Sequence, residues 1–218
     1  MMDTILYLIF TITYILLIAI GIILLRRKAS VPGMILLLVT LGLMIDNAMI
    51  ASGTFIGEGQ QLKSMSKIRF WAHALFTPAL VLFGWYMANG FGVKWARSRF
   101  SYYFALVLTI VLMMIEIVTE TFPLTLTPVY EYGVLRYSSG HSSGPPIMVL
   151  VLIVYLLAAG FSIWRKTQWP IMMIGVVVML IGSAISLPIP SSASTNAFEL
   201  IFILALWNTY RKSLKAAD

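Results

Sequence analysis

An all-α integral membrane protein, built as a seven-transmembrane helix bundle, is predicted by three observations. The chain is 60% hydrophobic and only 11% charged over 218 residues, with a mean hydropathy of +0.94. A soluble domain carries about 25% charged residues. Seven apolar runs approach or reach the ~20 residues that a spanning helix needs, and the basic residues gather at the ends of those runs.

The runs lie at 4–25, 32–53, 68–89, 102–121, 146–164, 169–187 and 195–210. The gaps between them are short, so one transmembrane domain covers 1–218. The first run has no basic lead-in and no small-residue cleavage site, and Arg26, Arg27 and Lys28 follow it at once. It reads as a retained helix and not as a signal peptide. The second opens on Pro32, which suits a first helical turn. The third holds Pro78 in its interior, where a kink is expected, with Thr77 placed to satisfy freed backbone groups. The fourth and fifth are joined by 122–145. There Tyr and Val residues alternate around a central Gly133, the pattern of a short β-hairpin. Such a loop serves either as a lid or as an ordered cap. The seventh run carries Glu199 and stops at Tyr210-Arg211-Lys212.

Orientation follows from Lys and Arg. Eleven lie in the gaps on one side of the bundle and four, Lys63, Lys67, Arg69 and Arg136, on the other. The N-terminus is therefore expected outside and the C-terminus in the cytoplasm, in a multi-pass protein of the plasma (inner) membrane. Trp95, Trp164, Trp169 and Trp207 fall near the cytoplasmic interface, as an aromatic belt would. Arg27-Lys28 before Pro32 is echoed by Arg165-Lys166 before Pro170. Either a 3+1+3 pseudo-repeat or an ordinary cytoplasmic turn, built twice, accounts for the echo.

At a rise of about 1.5 Å per residue, the polar residues of the spans gather in the outer half. They are Asp46 and Asn47 on helix two, Arg69 and His73 on helix three, Glu116 and Glu120 on helix four, Ser183 and Ser186 on helix six, and Asn196 and Glu199 on helix seven. The inner half holds no ionisable side chain away from its interface. A charge at mid-bilayer costs about 2.5–3.5 kcal/mol on insertion scales, so Asp46, Glu116 and Glu199 should face the bundle interior and find partners. Arg69 either snorkels to the surface or pairs with one of them. His141, in the outer loop, is either solvated or folded down onto the site.

A polar layer of one histidine and several carboxylates suits acid–base or metal chemistry. His73, Asp46, Glu116 and Glu199 are the candidate catalytic residues, with His73 as general base. The same four with Glu120 are candidate ligands for a divalent Zn, Mn or Fe ion. A purely protonic network is the alternative. Asn47, Arg69, Ser183, Ser186 and Asn196 are the candidate substrate-binding residues. The expected function is a membrane-embedded enzyme, a possible hydrolase, acting on a lipid or other apolar substrate. A ligand-binding sensor, a small-molecule or proton-coupled transporter and an accessory subunit are the rivals.

Several classes are excluded. There is no cysteine, hence no disulfide, thiolate metal site or cysteine nucleophile. No Gly-rich phosphate loop, His-Glu-x-x-His or Gly-x-Ser-x-Gly motif occurs. The net charge of +7 sits at helix ends, which points to the bilayer and not to nucleic acid as partner. The Arg69…Thr77-Pro78 spacing on helix three resembles that of the microbial rhodopsins over about ten residues. That family's Schiff-base lysine has no counterpart in the seventh run, and Ala72 stands where an acidic counter-ion would. The seven-helix layout is also similar to ceramidase- and progestin-receptor-type hydrolases, but their three zinc-binding histidines are not matched by His73 alone. PQ-loop transporters share the 3+1+3 plan, yet no Pro-Gln dipeptide occurs. No family is assigned.

Overall fold

The computed structural model describes residues 2–139, 147–184 and 189–216. They form α1 (Met2–Arg27), α2 (Val31–Ile56), α3 (Gln60–Phe76), α4 (Leu80–Gly90), α5 (Arg99–Glu116), α6 (Ile147–Thr167), α7 (Ile171–Ala184) and α8 (Ser194–Ala216). A 3₁₀ turn, Thr77–Ala79, joins α3 to α4, and a wide π turn, Ile117–Thr121, continues α5. Five segments are long and apolar enough to cross a membrane: Asp3–Arg27, Val31–Ile56, Gln60–Gly90, Arg99–Thr121 and Ile147–Thr167. In α7, Ile171–Ser183 is apolar but shorter. The longer α8 carries Glu199, Arg211, Lys212 and Lys215. Residues 185–187 of the sixth run, including Ser186, and the loop residues 140–145, including His141, lie outside the described residues.

Local chemistry sets the boundaries. The Ser30 hydroxyl accepts from Gly33 N at 3.4 Å and so caps α2, with Pro32 in its first turn. Ser98 caps α5 in the same way, accepting from Ser101 N at 3.1 Å. The third rod begins at Gln60 and not at 68. Its first turns are amphipathic: Leu62 and Ser66 are buried while Gln61 and Lys67 are exposed, so an apolar-run criterion misses them. Proline 78 does more than kink the rod. It supplies no N–H, and the helix breaks into the 3₁₀ turn.

Helix faces follow a 3–4 spacing. On α1, Asp3, Tyr7, Phe10, Tyr14 and Leu17 are buried while Ile5, Ile9, Ile12, Leu16 and Ile23 are exposed. On α5, Ala105, Thr109, Leu112 and Glu116 point inward, and Phe104, Val107, Val111 and Met114 point outward. Apolar outer stripes of this length are compatible with a lipid environment. Inside, α2 packs against α1, α3, α4 and α8, and α4 against α5, α6 and α8. The Trp207 indole donates to Thr40 Oγ1 at 3.0 Å, both side chains buried. Gly175 lets α7 approach α8 closely, because a Cβ there would collide with the Ala205 methyl.

The predicted hairpin forms. Strand β1 (Leu126–Glu131) pairs antiparallel with β2 (Val134–Ser139) across Tyr132-Gly133. Both turn residues have positive φ, 50° and 86°, as a two-residue hairpin turn of this hand requires. The hairpin folds back onto α2 and α3, where Leu126, Leu135 and Tyr137 bury against Leu62 as a second, small core. Three side-chain bonds fasten it. Thr4 and Thr54 hydroxyls donate to Gly133 O at 3.0 and 3.1 Å, and Leu135 N donates to Thr54 Oγ1 at 3.2 Å.

At the same end of the bundle, Asp3 is fully buried. It accepts from Ser191 Oγ at 2.9 Å, Ser192 N at 2.6 Å and Ser192 Oγ at 2.8 Å, while the Tyr7 hydroxyl donates to Ser192 O at 2.8 Å. The first turn of α1 thus seats the start of α8. Hydrogen bonds to a charged group contribute about 1.5–3 kcal/mol each and are not additive. Asp3→Ala is therefore expected to destabilise by about 3 kcal/mol, read as a lowered Tm of the purified protein. A Tm within a degree or so of the parent would show that this contact is dispensable.

Candidate functional site

The hairpin end of the bundle holds a cavity of about 420 Å³. Its ionisable lining comprises Asp46 from α2, Arg69 and His73 from α3, Glu116 and Glu120 from α5 and its π turn, Arg136 from β2 and Glu199 from α8. Each helical member stands on an inward stripe whose apolar neighbours drive the burial, as Ala105, Thr109 and Leu112 do for Glu116. Val39, Leu43, Ile50, Phe70 and Phe76 supply apolar wall, and Ser138, Ser192 and Thr195 add hydroxyls.

One side of the cavity is an ion-pair network. Arg69 Nε donates to Asp46 Oδ1 at 2.6 Å, with the two side chains only 13% and 24% exposed. Asn196 Nδ2 donates to Asp46 Oδ2 and to Asn47 Oδ1, both at 3.4 Å, and Asn47 Nδ2 donates to Leu43 O at 2.8 Å. The network ties α2, α3 and α8 together at one level. Arg69 therefore pairs rather than snorkels.

The other side is the His73–Glu116 pair. His73 Nε2 lies 3.8 Å from Glu116 Oε1, and His73 Nδ1 is 3.2 Å from the Thr77 hydroxyl. The 3₁₀ turn imposed by Pro78 begins at Thr77, one helical turn after His73. Thr77 was expected to satisfy freed backbone; its hydroxyl instead fixes the imidazole. The π turn starts at the residue after Glu116 and carries Glu120, and both glutamates line the cavity. Such widened turns occur disproportionately at functional sites.

Of the residues singled out in the sequence, Asp46, Arg69, His73, Glu116, Glu120, Asn196 and Glu199 line the cavity. Asn47 is buried behind it and holds Asn196. Ser183 is not in the lining; its hydroxyl donates to Leu180 O at 3.0 Å, within its own helix. Among the described residues, no three His, Cys, Asp or Glu side chains come together closely enough to hold a metal ion. Asp46 is already engaged by Arg69, and His73 and Glu116 approach as a pair at 3.8 Å. The arrangement does not fit the divalent ion, and no step is derived through one.

Sequence reasoning missed Arg136 and Ser192. Arg136 stood only as an outer-loop cation, and nothing local in the sequence states that β2 folds back over the helices. Ser192 follows from Asp3. The inward stripe of α1, traced back from Tyr14, Phe10 and Tyr7, reaches Asp3, and a buried carboxylate at a helix start needs donors.

No known protein family, curated protein or solved structure matches this chain. What the fold and cavity define is a helical protein with membrane-length apolar segments and a mixed-charge cavity at one end, capped by a β-hairpin.

Proposed function

We propose that the chain is a seven-span plasma-membrane protein, N-terminus outside and C-terminus cytoplasmic, with its cavity in the outer half. We further propose that it is a membrane-embedded enzyme that transfers a proton at His73 to or from a lipid or other apolar substrate. The observation that carries this reading is the His73 ring, held at Nδ1 by Thr77 at 3.2 Å and facing Glu116 across 3.8 Å in the cavity wall. An imidazole fixed by one partner, with a carboxyl next to its other nitrogen, is suited to accept and return a proton. The Asp46–Arg69–Asn196 network is the positioning frame, since its atoms are committed to one another. Glu199 and Glu120 add carboxyl groups to the wall. The apolar lining suits a hydrocarbon substrate portion.

An enzyme is favoured over a transporter by the packing below. Val39 is in the cavity wall, while its neighbour Thr40 is sealed under the Trp207 indole. Leu36, Leu206 and Tyr210 continue the buried packing beside Thr40 and Trp207. A through-path would have to part these groups.

The test is turnover in bilayer nanodiscs loaded with a total membrane-lipid extract, followed by mass spectrometry of the lipids over time. The parent is expected to deplete one lipid class and raise another. His73→Gln should slow this about 10²–10⁴-fold, the usual share of general acid–base catalysis. An unchanged lipid profile with the parent, together with an organic molecule that co-purifies intact, would assign the cavity to a sensor instead.

A further inference from the structure

Two side chains in the cavity wall are each left one partner short. Glu116 is 4% exposed, and its Oε2 has no hydrogen-bond partner among the described residues. Protonation does not remove the need, because a carboxylic O–H then requires an acceptor. Arg136 reaches Glu131 through Nη2 at 3.4 Å, but its buried Nε has no partner among the described residues. Guanidinium stays charged at all accessible pH. Both residues line the same cavity, Glu116 from α5 and Arg136 from the hairpin.

The remaining charges sharpen this. Arg69 is engaged by Asp46 at 2.6 Å, whereas Arg136 meets the half-exposed Glu131 at 3.4 Å, which leaves Glu116, Glu120 and Glu199 as carboxyls and Arg136 as the less committed guanidinium among the described lining residues. A purely anionic ligand would meet three carboxyls. A purely cationic one would meet Arg136. A ligand with both signs separated along its length matches the lining at both ends.

We infer that the cavity binds a zwitterion, its ammonium group on the Glu116 side and its phosphate on Arg136. This is the chemistry of an aminophospholipid headgroup and of free phosphoethanolamine. The inference rests on the enzyme reading only for the use of the site: it names the substrate class that His73 would act beside. Arg–phosphate pairing supplies geometry as well as charge, and the three carboxyls discriminate for an ammonium that can donate hydrogen bonds.

The experiment is native mass spectrometry of the purified full chain with defined lipids. Phosphatidylethanolamine is expected to bind about tenfold or more tightly than phosphatidylglycerol, which shares the phosphate and lacks the ammonium. Glu116→Gln should erase that preference, and Arg136→Gln should weaken both lipids. Glu199→Gln gives a second reading, with a smaller loss of preference, should Glu116→Gln fold poorly. Displacement of the lipid by free O-phosphoethanolamine at a similar concentration assigns the site to the soluble zwitterion; displacement by the lipid alone assigns it to a headgroup with its chains. Equal binding of the two lipids by the parent, or a preference that survives both glutamate substitutions, overturns the inference. His73→Gln should keep this binding while turnover is lost. Failure of ligand selectivity with turnover intact, or the reverse, therefore separates this inference from the enzyme reading.

Discussion

Arg69→Met is expected to destabilise the protein by about 3–5 kcal/mol, the cost of leaving one member of a buried ion pair without the other. Exposed pairs are worth only about 0–1 kcal/mol, so the regime has to be decided first. The 2.6 Å contact and side chains only 13% and 24% exposed place this pair with the buried ones. Once the guanidinium is removed, Asp46 keeps a single donor among the described residues, Asn196 Nδ2 at 3.4 Å, at the long end of hydrogen-bond distances. The double variant Asp46→Leu with Arg69→Met removes both charges and should recover most of the loss, because an apolar replacement of a buried pair is often neutral or better. Thermal unfolding of the parent, the two single variants and the double variant in one lipid system measures the coupling. A double variant as unstable as the sum of the singles would mean the pair is solvated, and that the network across α2, α3 and α8 is not what orders this end.

Much of this was legible in the sequence, for a physical reason. A charge in an apolar run has few places to go, so depth and stripe alone bring Asp46, Arg69, His73, Glu116 and Glu199 toward one level. The structure puts all five in one cavity wall. Their pairing was not legible. Arg69 takes Asp46 and His73 faces Glu116 because of how α2, α3 and α5 are rotated, and rotation is set by packing across the bundle. The hairpin shows the same division. Its turn was written locally in Tyr132-Gly133, since positive φ there is a property of those two residues. Its docking was not, because Leu62 lies in a segment too polar to be recognised as helix. Ser183 misled because a serine inside an apolar helix can satisfy itself on its own backbone, here Leu180 O at 3.0 Å.

The docking of the hairpin hinges on Gly53, and Gly53→Ala is the sharper of the two tests of the cavity. A methyl built on Gly53 would fall well inside the van der Waals shell of the Leu135 carbonyl oxygen. That oxygen is backbone and cannot step aside as the end of a side chain can. Its strand is held in place by Leu135 N on Thr54 Oγ1 at 3.2 Å and by Thr54 on Gly133 O at 3.1 Å. Two responses are open. The hairpin stays and the contact strains the core, at about 1–3 kcal/mol or somewhat more. Or the hairpin lifts, exposing Leu126, Leu135 and Tyr137 and withdrawing Arg136 from the cavity wall. Fully burying a side chain such as Leu is worth about 1.5–3 kcal/mol, so lifting three is no cheaper than the strain. The strained, docked hairpin sets the expected loss at about 3 kcal/mol, and any lifting adds a local signature. Trypsin cleavage after Arg136 should rise steeply in Gly53→Ala while cleavage after Lys67 changes little. Gly90→Ala is the matched control, because nothing lies within 4 Å of its added methyl and the site is helical. It should be neutral or slightly stabilising. If Gly53→Ala keeps both the parent Tm and its protection at Arg136, the hairpin is not docked through this contact, and Arg136 loses its place in the ligand argument.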